Sequence, residues 1–304
     1  MWGMAGWTGS EDGESLGALE RAVELGCNFF DTAWAYGAGH SERLLGRVVR
    51  AHPDRGLLVA TKIPPKNFIW PSRRGFSLDD CFPPDHIRAY AEKSLENLAL
   101  PRIDLLQFHV WEDAWAHDNR WQRALDDLKS EGLVRAVGVS VNRWEPENVL
   151  ETLRTGQVDA VQVIYNIFDQ APQDRLFPLC RELQIGVIAR VPFDEGTLTG
   201  TLTTQSRWPE GDWRNTYFVP ENLAASVSRA EALRPLVPHG MTMPELALRW
   251  ILADQTVTTI IPGMRKRRHV EMNLAVSDAR ALEPALLEQL KAHRWDRTPT
   301  RWSQ

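Results

Sequence analysis

Three ionisable side chains stand at the ends of apolar segments that are predicted to be strands, and a phenol follows one of them. Asp31 ends "NFFD", Lys62 follows "LLVAT", and His109 follows "LLQF". In parallel α/β architectures the carboxyl ends of the strands lie on one face, where such folds place their chemistry, so we expect these residues to converge. Tyr36 lies in the glycine-rich loop "TAWAYGAGH" that follows Asp31 and can reach the same face.

Together these side chains are suited to delivering a proton. A buried ammonium is costly unless a carboxylate pairs with it, so Asp31 is the expected partner of Lys62. The ammonium charge favours phenolate and makes Tyr36 a better proton donor to an alkoxide. A neutral His109 could direct a substrate carbonyl by hydrogen bonding. None of the four is a convincing nucleophile, so the pattern indicates proton delivery coupled to another agent, such as hydride from a cofactor.

Each of the four residues also has a structural explanation when it is considered alone. Asp31 could cap a loop, Lys62 could extend its ammonium from a strand end into solvent, and His109 could be a hydrogen-bonded core histidine. Tyr36 could be an ordinary half-buried loop tyrosine. Their joint occurrence at predicted strand ends is what favours a functional site.

Length, composition and charge describe a globular protein. The chain has 304 residues, of which 43% are hydrophobic and 25% charged, without a biased tract. That length suits a single α/β barrel with a large core, so we predict one domain, residues 1–304, that needs no disulfide or metal for stability. The net charge of −5 argues against nucleic acid or an anionic membrane surface as the main partner.

The sequence carries no sign of an oxidising compartment or of export. Cys27, Cys81 and Cys180 are scattered, without C-x-x-C or ligand spacing to histidine. The segment "MWGMAGWTGSEDGE" lacks the basic flank and apolar run of a signal peptide. No stretch approaches the roughly 18 consecutive apolar residues of a membrane span. We therefore predict a cytoplasmic protein without a metal site.

Seven short apolar runs, rich in β-branched residues, alternate with helical patterns. They are "CNFFD" (27–31), "LLVATK" (57–62), "IDLLQFHV" (103–110), "AVGVSV" (136–141), "AVQVIYN" (160–166), "GVIARVPF" (186–193) and "TTIIPG" (258–263). Amphipathic segments such as 118–133, which ends near Gly132, lie between them. This alternation predicts a parallel sheet. A (β/α)8 barrel needs eight strands, whereas a doubly wound open sheet tolerates seven, so the strand count alone leaves both possible.

The motifs resemble those of the aldo-keto reductase superfamily. "FFDTAWAYGAGHSERLLG" is similar to the family's Asp-Thr-Ala-x-x-Tyr-Gly signature, "ATK" supplies its lysine, and "IDLLQFHVW" supplies its histidine. "GLVRAVGVS", "VQVIYN" and "TTIIPG" follow in the family order. The resemblance implies a (β/α)8 TIM barrel. It also implies that Tyr36 is the general acid, that Lys62 and Asp31 tune it, and that His109 orients the carbonyl.

The resemblance further implies NADP(H) as the cofactor, lying across the carboxyl-terminal face of the barrel. Ser140 and Gln162 are expected at the nicotinamide carboxamide, and Arg190 is expected to cover the ring. Arg190 replaces a frequent aromatic residue, and a guanidinium plane can also stack on a ring. Where the family often has Ser-Asn, this chain has Ser140-Val141-Asn142, so a role for Asn142 stays open.

The segment 261–273, "IPGMRKRRHVEMN", matches the family region that binds the adenosine 2′-phosphate and the adenine. By position, Arg265 and Asn273 are the expected contacts, and Lys266 or His269 could assist. A basic cluster that opens a helix suits an anion through its charge and the helix dipole. The alternative is a solvated basic helix start. The cluster favours NADPH over NADH.

Family members usually begin with a hairpin and a first strand that are missing from this sequence. Here "MWGM" would be the end of that first strand, which explains why seven strands are found rather than eight. We therefore expect a barrel from which the first strand and the hairpin are truncated, with the natural reading frame starting upstream or the chain trimmed.

Aromatic residues crowd the predicted mouth of the barrel. Trp34, Trp70 and Trp111 are candidate substrate-pocket residues, and Phe68 and Trp115 lie in the same loops. Such a rim suits an apolar or ring-bearing carbonyl compound. The long segment 194–222 is expected to fold over the cofactor as a mobile loop, or else to be a surface excursion.

Three functions are consistent with the sequence. The first is an NADPH-dependent reductase of an aldehyde, ketone or keto-sugar, acting as a monomer or weak homo-oligomer on a small-molecule carbonyl substrate. The second is the same scaffold working as an alcohol or sugar dehydrogenase. The third is an NADP(H)-sensing subunit with vestigial chemistry, which the presence of Tyr36, Lys62, Asp31 and His109 disfavours.

Overall fold

The computed structural model describes residues 11–300 and 302–303, in which helices and strands alternate along the chain. The strands are β1 (Phe29–Asp31), β2 (Leu58–Ile63), β3 (Ile103–Phe108), β4 (Val134–Ser140), β5 (Ala160–Ile164), β6 (Gly186–Arg190) and β7 (Val257–Ile260).

One α-helix precedes β1, and the others lie between the strands or after the last one. They are α1 (Asp12–Glu24), α2 (His40–Ala51), α3 (Leu78–Cys81), α4 (Pro84–Leu98), α5 (Asn119–Ser130), α6 (Leu150–Arg154), α7 (Leu176–Leu183), α8 (Arg214–Tyr217), α9 (Pro220–Leu233), α10 (Met243–Leu252), α11 (Arg267–Leu274) and α12 (Pro284–Lys291). Helix α5 shows how local chemistry sets their ends. The Asp118 side chain accepts the Arg120 N–H at its start, and Gly132 takes a left-handed φ of 74° just after its end.

The strands form one parallel sheet in which each strand pairs with the next along the chain, from β1 to β7. A doubly wound sheet would instead reverse its strand order at a switch point, so the sequential order rules that alternative out. In the described part of the chain the parallel sheet has seven strands, as the sequence predicts. The residues "MWGM", where a preceding strand would end, lie outside the described residues.

The sheet is strongly curled. Adjacent strands lie about 4.8 Å apart, so β1 and β5 would be about 19 Å apart in a flat sheet. Yet Gln162 of β5 donates a hydrogen bond from Nε2 to Oδ1 of Asp31 on β1 at 2.9 Å. Side chains from these two strands therefore meet across a barrel interior, which confirms the predicted barrel architecture.

Alternation along the strands divides their side chains between the interior and the surrounding helices. Outward residues join the helices in the main hydrophobic core, among them Val59, Leu106, Val137, Val161 and Val187. Inward residues form an apolar layer within the barrel, made by Ala60, Leu105, Ala160 and Ile188. Two residues further along three of these strands, the inward positions are Lys62, Gln107 and Gln162. The barrel interior is thus polar near the carboxyl ends of its strands and apolar in the layer that precedes those ends along the strands.

Within residues 11–300 and 302–303, no helix has both the length and the apolar character that crossing a bilayer requires.

Candidate active site

The centre of the polar layer is an ion pair between β1 and β2. Lys62 Nζ lies 2.5 Å from Asp31 Oδ2, and their side chains are only 1% and 6% exposed. The same ammonium donates to the carbonyl oxygen of Thr32 at 2.8 Å. A buried ammonium is tolerable only with such compensation, so the sequence-based pairing of these two residues has a physical basis in the structure.

The other oxygen of Asp31 is held by two amides. Oδ1 accepts hydrogen bonds from Nε2 of Gln107 at 3.1 Å and from Nε2 of Gln162 at 2.9 Å. Gln162 Nε2 also lies 3.2 Å from Gln107 Oε1. With both oxygens occupied, Asp31 is fixed as a charge partner for Lys62 and is not free to take a proton from a substrate.

Gln107 is a member of this network that the sequence-based reasoning missed. The signal was present, because a glutamine stands in the middle of the apolar strand "LLQF". It lies two residues before His109, which places both on the same side of the chain if the extended path continues. A polar residue at an inward-facing strand position needs a partner, and here that partner is Asp31.

Tyr36 is carried to this network by a tight loop. The backbone at Gly37, Ala38 and Gly39 is left-handed, with φ values of 67°, 49° and 82°. Glycine adopts such angles without strain, which explains the glycine-rich sequence after Asp31. The Tyr36 ring centroid lies 5.5 Å from Lys62 Nζ and 5.8 Å from the centroid of the His109 ring. The structure therefore brings all four predicted catalytic residues together.

His109 is held as a neutral imidazole at the mouth. Its backbone N–H donates to the carbonyl of Ile63 at 3.1 Å, which extends the pairing of β3 with β2. Burial and then the charges of Lys62 and Arg190 hold the pKa of His109 well below its usual 6.5. Its Nδ1 has no hydrogen-bond partner among the described residues. A neutral ring with an unused nitrogen can orient a carbonyl oxygen.

Arg190 ends β6 on the far side of the mouth. Its guanidinium donates to the carbonyl of Val141 at 2.9 Å, while Nε finds no partner in the described part of the chain. Burial and the nearby charge of Arg143 lower the pKa of Arg190 to about 10, so it stays protonated at neutral pH. Ser140 and Gln162 lie opposite each other in the register of β4 and β5. The unsatisfied nitrogens of His109 and Arg190 fit a mouth that receives a polar ligand such as a nicotinamide.

Asn142, whose role was left open, has a structural use. Its Oδ1 accepts the backbone N–H groups of Ser72 at 3.3 Å and Trp111 at 3.4 Å. Its Nδ2 donates to Glu112 at 3.0 Å and to Glu145 at 3.2 Å. These bonds join the loops after β2, β3 and β4. The amide of Asn142 therefore has protein partners for both its oxygen and its nitrogen.

The predicted nucleotide-binding segment runs into the short helix α11. Arg265 precedes the helix and is half-buried, and Asn273 is buried within it. Neither side chain makes a hydrogen bond or ion pair with another described residue. The positive charges here are dense, because Arg268, Lys266 and Arg265 all add to burial in lowering the pKa of His269. An anion such as a phosphate would relieve that repulsion.

The aromatic residues divide into two groups. Trp34, Phe68 and Trp70 form a chain of rings at the mouth, with centroid separations of 6.2 Å and 6.1 Å, and Phe68 is 40% exposed. Trp70 lies 5.7 Å from the His109 ring. Two of the three predicted pocket tryptophans, Trp34 and Trp70, are thus near the catalytic residues.

Trp111, the third predicted pocket residue, lies elsewhere. Its side chain is 0% exposed and its Nε1 donates to Oγ1 of Thr152 at 2.8 Å. It packs with other buried rings, namely Phe82, Phe108, Trp115 and Trp121. The structure therefore places Trp111 in the hydrophobic core and not at the mouth, because covering its large ring between the sheet and the helices removes the most apolar surface from water.

The segment after β6 is anchored by ion pairs that the sequence analysis does not predict. Glu195 accepts from Arg143 at 2.6 Å. Asp194 accepts from Arg297 at 2.8 Å, and Arg297 also contacts Asp169. We call Asp169, Asp194 and Arg297 the clasp, since they join two loops of the barrel to the segment that follows α12. The beginning of segment 194–222 is therefore fixed.

Comparison with known proteins agrees with this architecture. Residues 1–294 match the model of the Aldo/keto reductase family. The chain is 30% identical over 291 residues to the NADH-specific methylglyoxal reductase of Escherichia coli, a match that covers 90% of this chain and 87% of the relative. It is 27% identical over 272 residues to the Schizosaccharomyces pombe aldo-keto reductase yakc [NADP(+)], covering 87% and 78% of the two chains. The solved structure of a glycerol dehydrogenase from Gluconobacter oxydans matches with a TM-score of 0.77 at 26% identity, covering 96% of this chain and 89% of that one.

Proposed function

Because this chain belongs to the aldo/keto reductase family, we propose that it uses NADPH to reduce the carbonyl of an aldehyde, ketone or keto-sugar to an alcohol. One observation carries this proposal: the buried ion pair of Lys62 with Asp31 lies within 5.5 Å of the Tyr36 ring, whose other neighbour is a neutral imidazole. That arrangement supplies an acid and a carbonyl-orienting group at one mouth.

Each residue then has one task in the reaction. When bound, a nicotinamide cofactor would supply the hydride for the carbonyl carbon. Tyr36 donates its phenolic proton to the carbonyl oxygen, and the Lys62 ammonium stabilises the phenolate that is left behind. Asp31 keeps Lys62 in place, while its own charge is held by Gln107 and Gln162. His109 donates an N–H to the same carbonyl oxygen and sets its direction.

The residues that would hold the cofactor lie at the ends of β4, β5 and β6 and near α11. Ser140, Gln162 and Arg190 would contact the nicotinamide, and Arg265 and Asn273 the adenosine phosphate. The named relatives include one NADH-specific and one NADP(+) enzyme, so the family alone does not decide between the two cofactors. The basic cluster before α11 supports NADPH, whose extra phosphate it would bind.

The aromatic rim supports a small carbonyl compound with an apolar or ring-bearing body. Trp34 and Trp70 are the pocket residues in this proposal. The printed activity of the Escherichia coli relative makes methylglyoxal a natural first compound to test. We expect a monomer or weak homo-oligomer in the cytoplasm.

The same site can run in the oxidative direction, and the structural similarity to a glycerol dehydrogenase favours testing that alternative. A non-catalytic NADP(H)-sensing subunit is the least supported alternative, since such a protein has no need of the complete set of contacts around Tyr36, Lys62, Asp31 and His109.

The proposal is tested by following NADPH oxidation with methylglyoxal and a panel of aromatic and aliphatic aldehydes. Tyr36→Phe removes the proton donor and should lower kcat by at least about 10²-fold, the usual cost of losing a general acid. Cofactor affinity, measured by fluorescence quenching, should stay unchanged. Tyr90→Phe is the matched control, because Tyr90 lies in helix α4 and its ring packs edge-on against Trp34, with 4.7 Å between the centroids. Full turnover by Tyr36→Phe with normal cofactor binding would make the acid assignment wrong.

A further inference from the structure

Three arginines surround the mouth on the side of β4 to β6, and they differ in how their charges are balanced. Arg143 contacts Glu195 at 2.6 Å, and Arg297 contacts the two carboxylates of the clasp. Arg190 contacts no carboxylate of the described chain; it donates to the backbone carbonyl of Val141, and its Nε is unpartnered. A buried guanidinium without a carboxylate in contact is costly. A function that depends on its charge would explain why an arginine stands at this position.

The charge of Arg190 reaches the place where a carbonyl would react. It acts on His109 together with Lys62, and it also interacts with Tyr36. A ring that transfers hydride to a carbonyl held between Tyr36 and His109 must therefore lie within the field of Arg190, whatever its detailed pose. Lys62 acts on His109 as well, but its ammonium is in contact with the carboxylate of Asp31, whereas Arg190 has no such partner among the described residues.

Other charged groups around Arg190 reduce its field without cancelling it. Glu195 and Asp169 attract the guanidinium, while Arg143 repels it. Each of these carboxylates already has an arginine of its own in contact, namely Arg143 or Arg297. Arg190 is therefore a positive charge near the mouth that no carboxylate of the described chain contacts.

A nicotinamide ring changes its charge during the reaction: the oxidised ring is cationic, and the reduced ring is neutral. We propose that Arg190 makes the site bind the reduced cofactor more tightly than the oxidised one, and so biases the enzyme towards carbonyl reduction. This inference rests on the proposed function, because it needs a nicotinamide at the mouth. Repulsion between the guanidinium and the cationic ring weakens only the oxidised form, and it helps to expel that form after turnover.

The competing explanation gives Arg190 a role in shape alone. If its flat guanidinium only stacks on the ring, then its removal weakens both redox forms by the same factor. The two explanations are separated by the ratio of two dissociation constants, which does not depend on turnover.

The experiment measures the Kd of NADP+ and of NADPH, and of NAD+ and NADH, by quenching of tryptophan fluorescence. In the wild-type protein the reduced form should bind more tightly. In Arg190→Gln the ratio of the oxidised to the reduced Kd should fall roughly tenfold, as expected for the loss of one partly shielded charge. Arg190→Lys keeps the charge and should keep the ratio. Arg102→Gln, at an exposed arginine just before β3, is the matched control and should change none of the four dissociation constants.

Equal binding of both redox forms by the wild-type protein would overturn the inference, even if the variants fail to fold. The inference would also be overturned if Arg190→Gln left the ratio of the oxidised to the reduced Kd unchanged, which includes the case in which it weakened the binding of both forms by the same factor. If the wild-type protein binds no nicotinamide nucleotide, the proposed function fails as well. Only this inference fails if the wild-type protein binds both forms, Tyr36→Phe loses turnover, and Arg190→Gln leaves the ratio of the oxidised to the reduced Kd unchanged.

Discussion

Two buried ionic clusters lie at the carboxyl-terminal face of the barrel, and they are built differently. The Asp31–Lys62 pair has one charge of each sign and two amides that complete the carboxylate. The clasp has one cation, Arg297, between Asp169 and Asp194. The ion pair joins neighbouring strands and faces a phenol, whereas the clasp joins loops and faces aromatic side chains, including Trp144. Similar burial therefore accompanies two different arrangements: in the proposed function the first cluster serves chemistry, whereas the second joins loops of the barrel to the segment after α12.

The first prediction, with the largest effect, removes the cation of the first cluster. Lys62→Met leaves the Asp31 carboxylate buried without its partner, which should lower the free energy of unfolding by about 3 kcal/mol. Turnover should fall by at least about 10²-fold, because Tyr36 loses the neighbouring ammonium. Urea unfolding and NADPH oxidation measure the two effects. The double variant Asp31→Asn/Lys62→Met should regain stability without regaining turnover, and recovery of both would contradict a chemical role for the pair.

The second prediction removes the cation of the clasp. Arg297→Met leaves two buried carboxylates facing each other, so the free energy of unfolding should fall by about 2–3 kcal/mol. The value of kcat, corrected for the folded fraction, should stay within about threefold of the wild type, since Arg297 touches none of the four catalytic side chains. Denaturant unfolding beside steady-state kinetics provides the measurement. A 10²-fold loss of kcat in the folded variant would contradict the proposal that the clasp, unlike the Asp31–Lys62 pair, has no part in catalysis.

The third and smallest effect is a pH dependence on the catalytic side. The pKa of His109 is held well below 6.5 by burial and by the charges of Lys62 and Arg190, so the folded protein keeps the imidazole neutral. The unfolded chain takes up a proton there as the pH falls below about 6.5, and folding is therefore opposed in that range. Between pH 7 and 5.5, His109→Gln should lose about 1 kcal/mol less unfolding free energy than the wild type.

His293, beyond α12, provides the control for that measurement. Burial and the charge of Arg229 also lower its pKa. The pKa of His109 is held well below its usual value, and that of His293 is lowered less far, so His293→Gln should change the pH dependence less than His109→Gln does. The reverse order would show that the pH response belongs to the periphery of the fold and not to its mouth.

The sequence was sufficient for features that follow from local periodicity. Seven parallel strands and the convergence of Asp31, Lys62 and His109 could be predicted because a strand end in a parallel sheet has a defined face. Tyr36 could be added because glycines allow its loop to turn tightly. These features need only the pattern within each segment and the topology of the fold.

Other features depend on contacts that no local pattern encodes. Arg297 meets partners 128 and 103 residues away in the chain, and all three members of the clasp come from loops or from the segment after α12. The position of Trp111 was predicted wrongly for a related reason. The path of the chain after β3 decides whether its ring turns to the mouth or to the core, and the burial of a large apolar surface favoured the core.

The apolar layer of Ala60, Leu105, Ala160 and Ile188 bears on the end of the barrel from which a ligand would reach the polar residues. These side chains lie beneath Lys62, Gln107 and Gln162 and place an apolar layer between these polar residues and the opposite end of the barrel. In the proposed function, coenzyme and substrate would therefore approach Lys62, Gln107 and Gln162 from the carboxyl-terminal end of the strands.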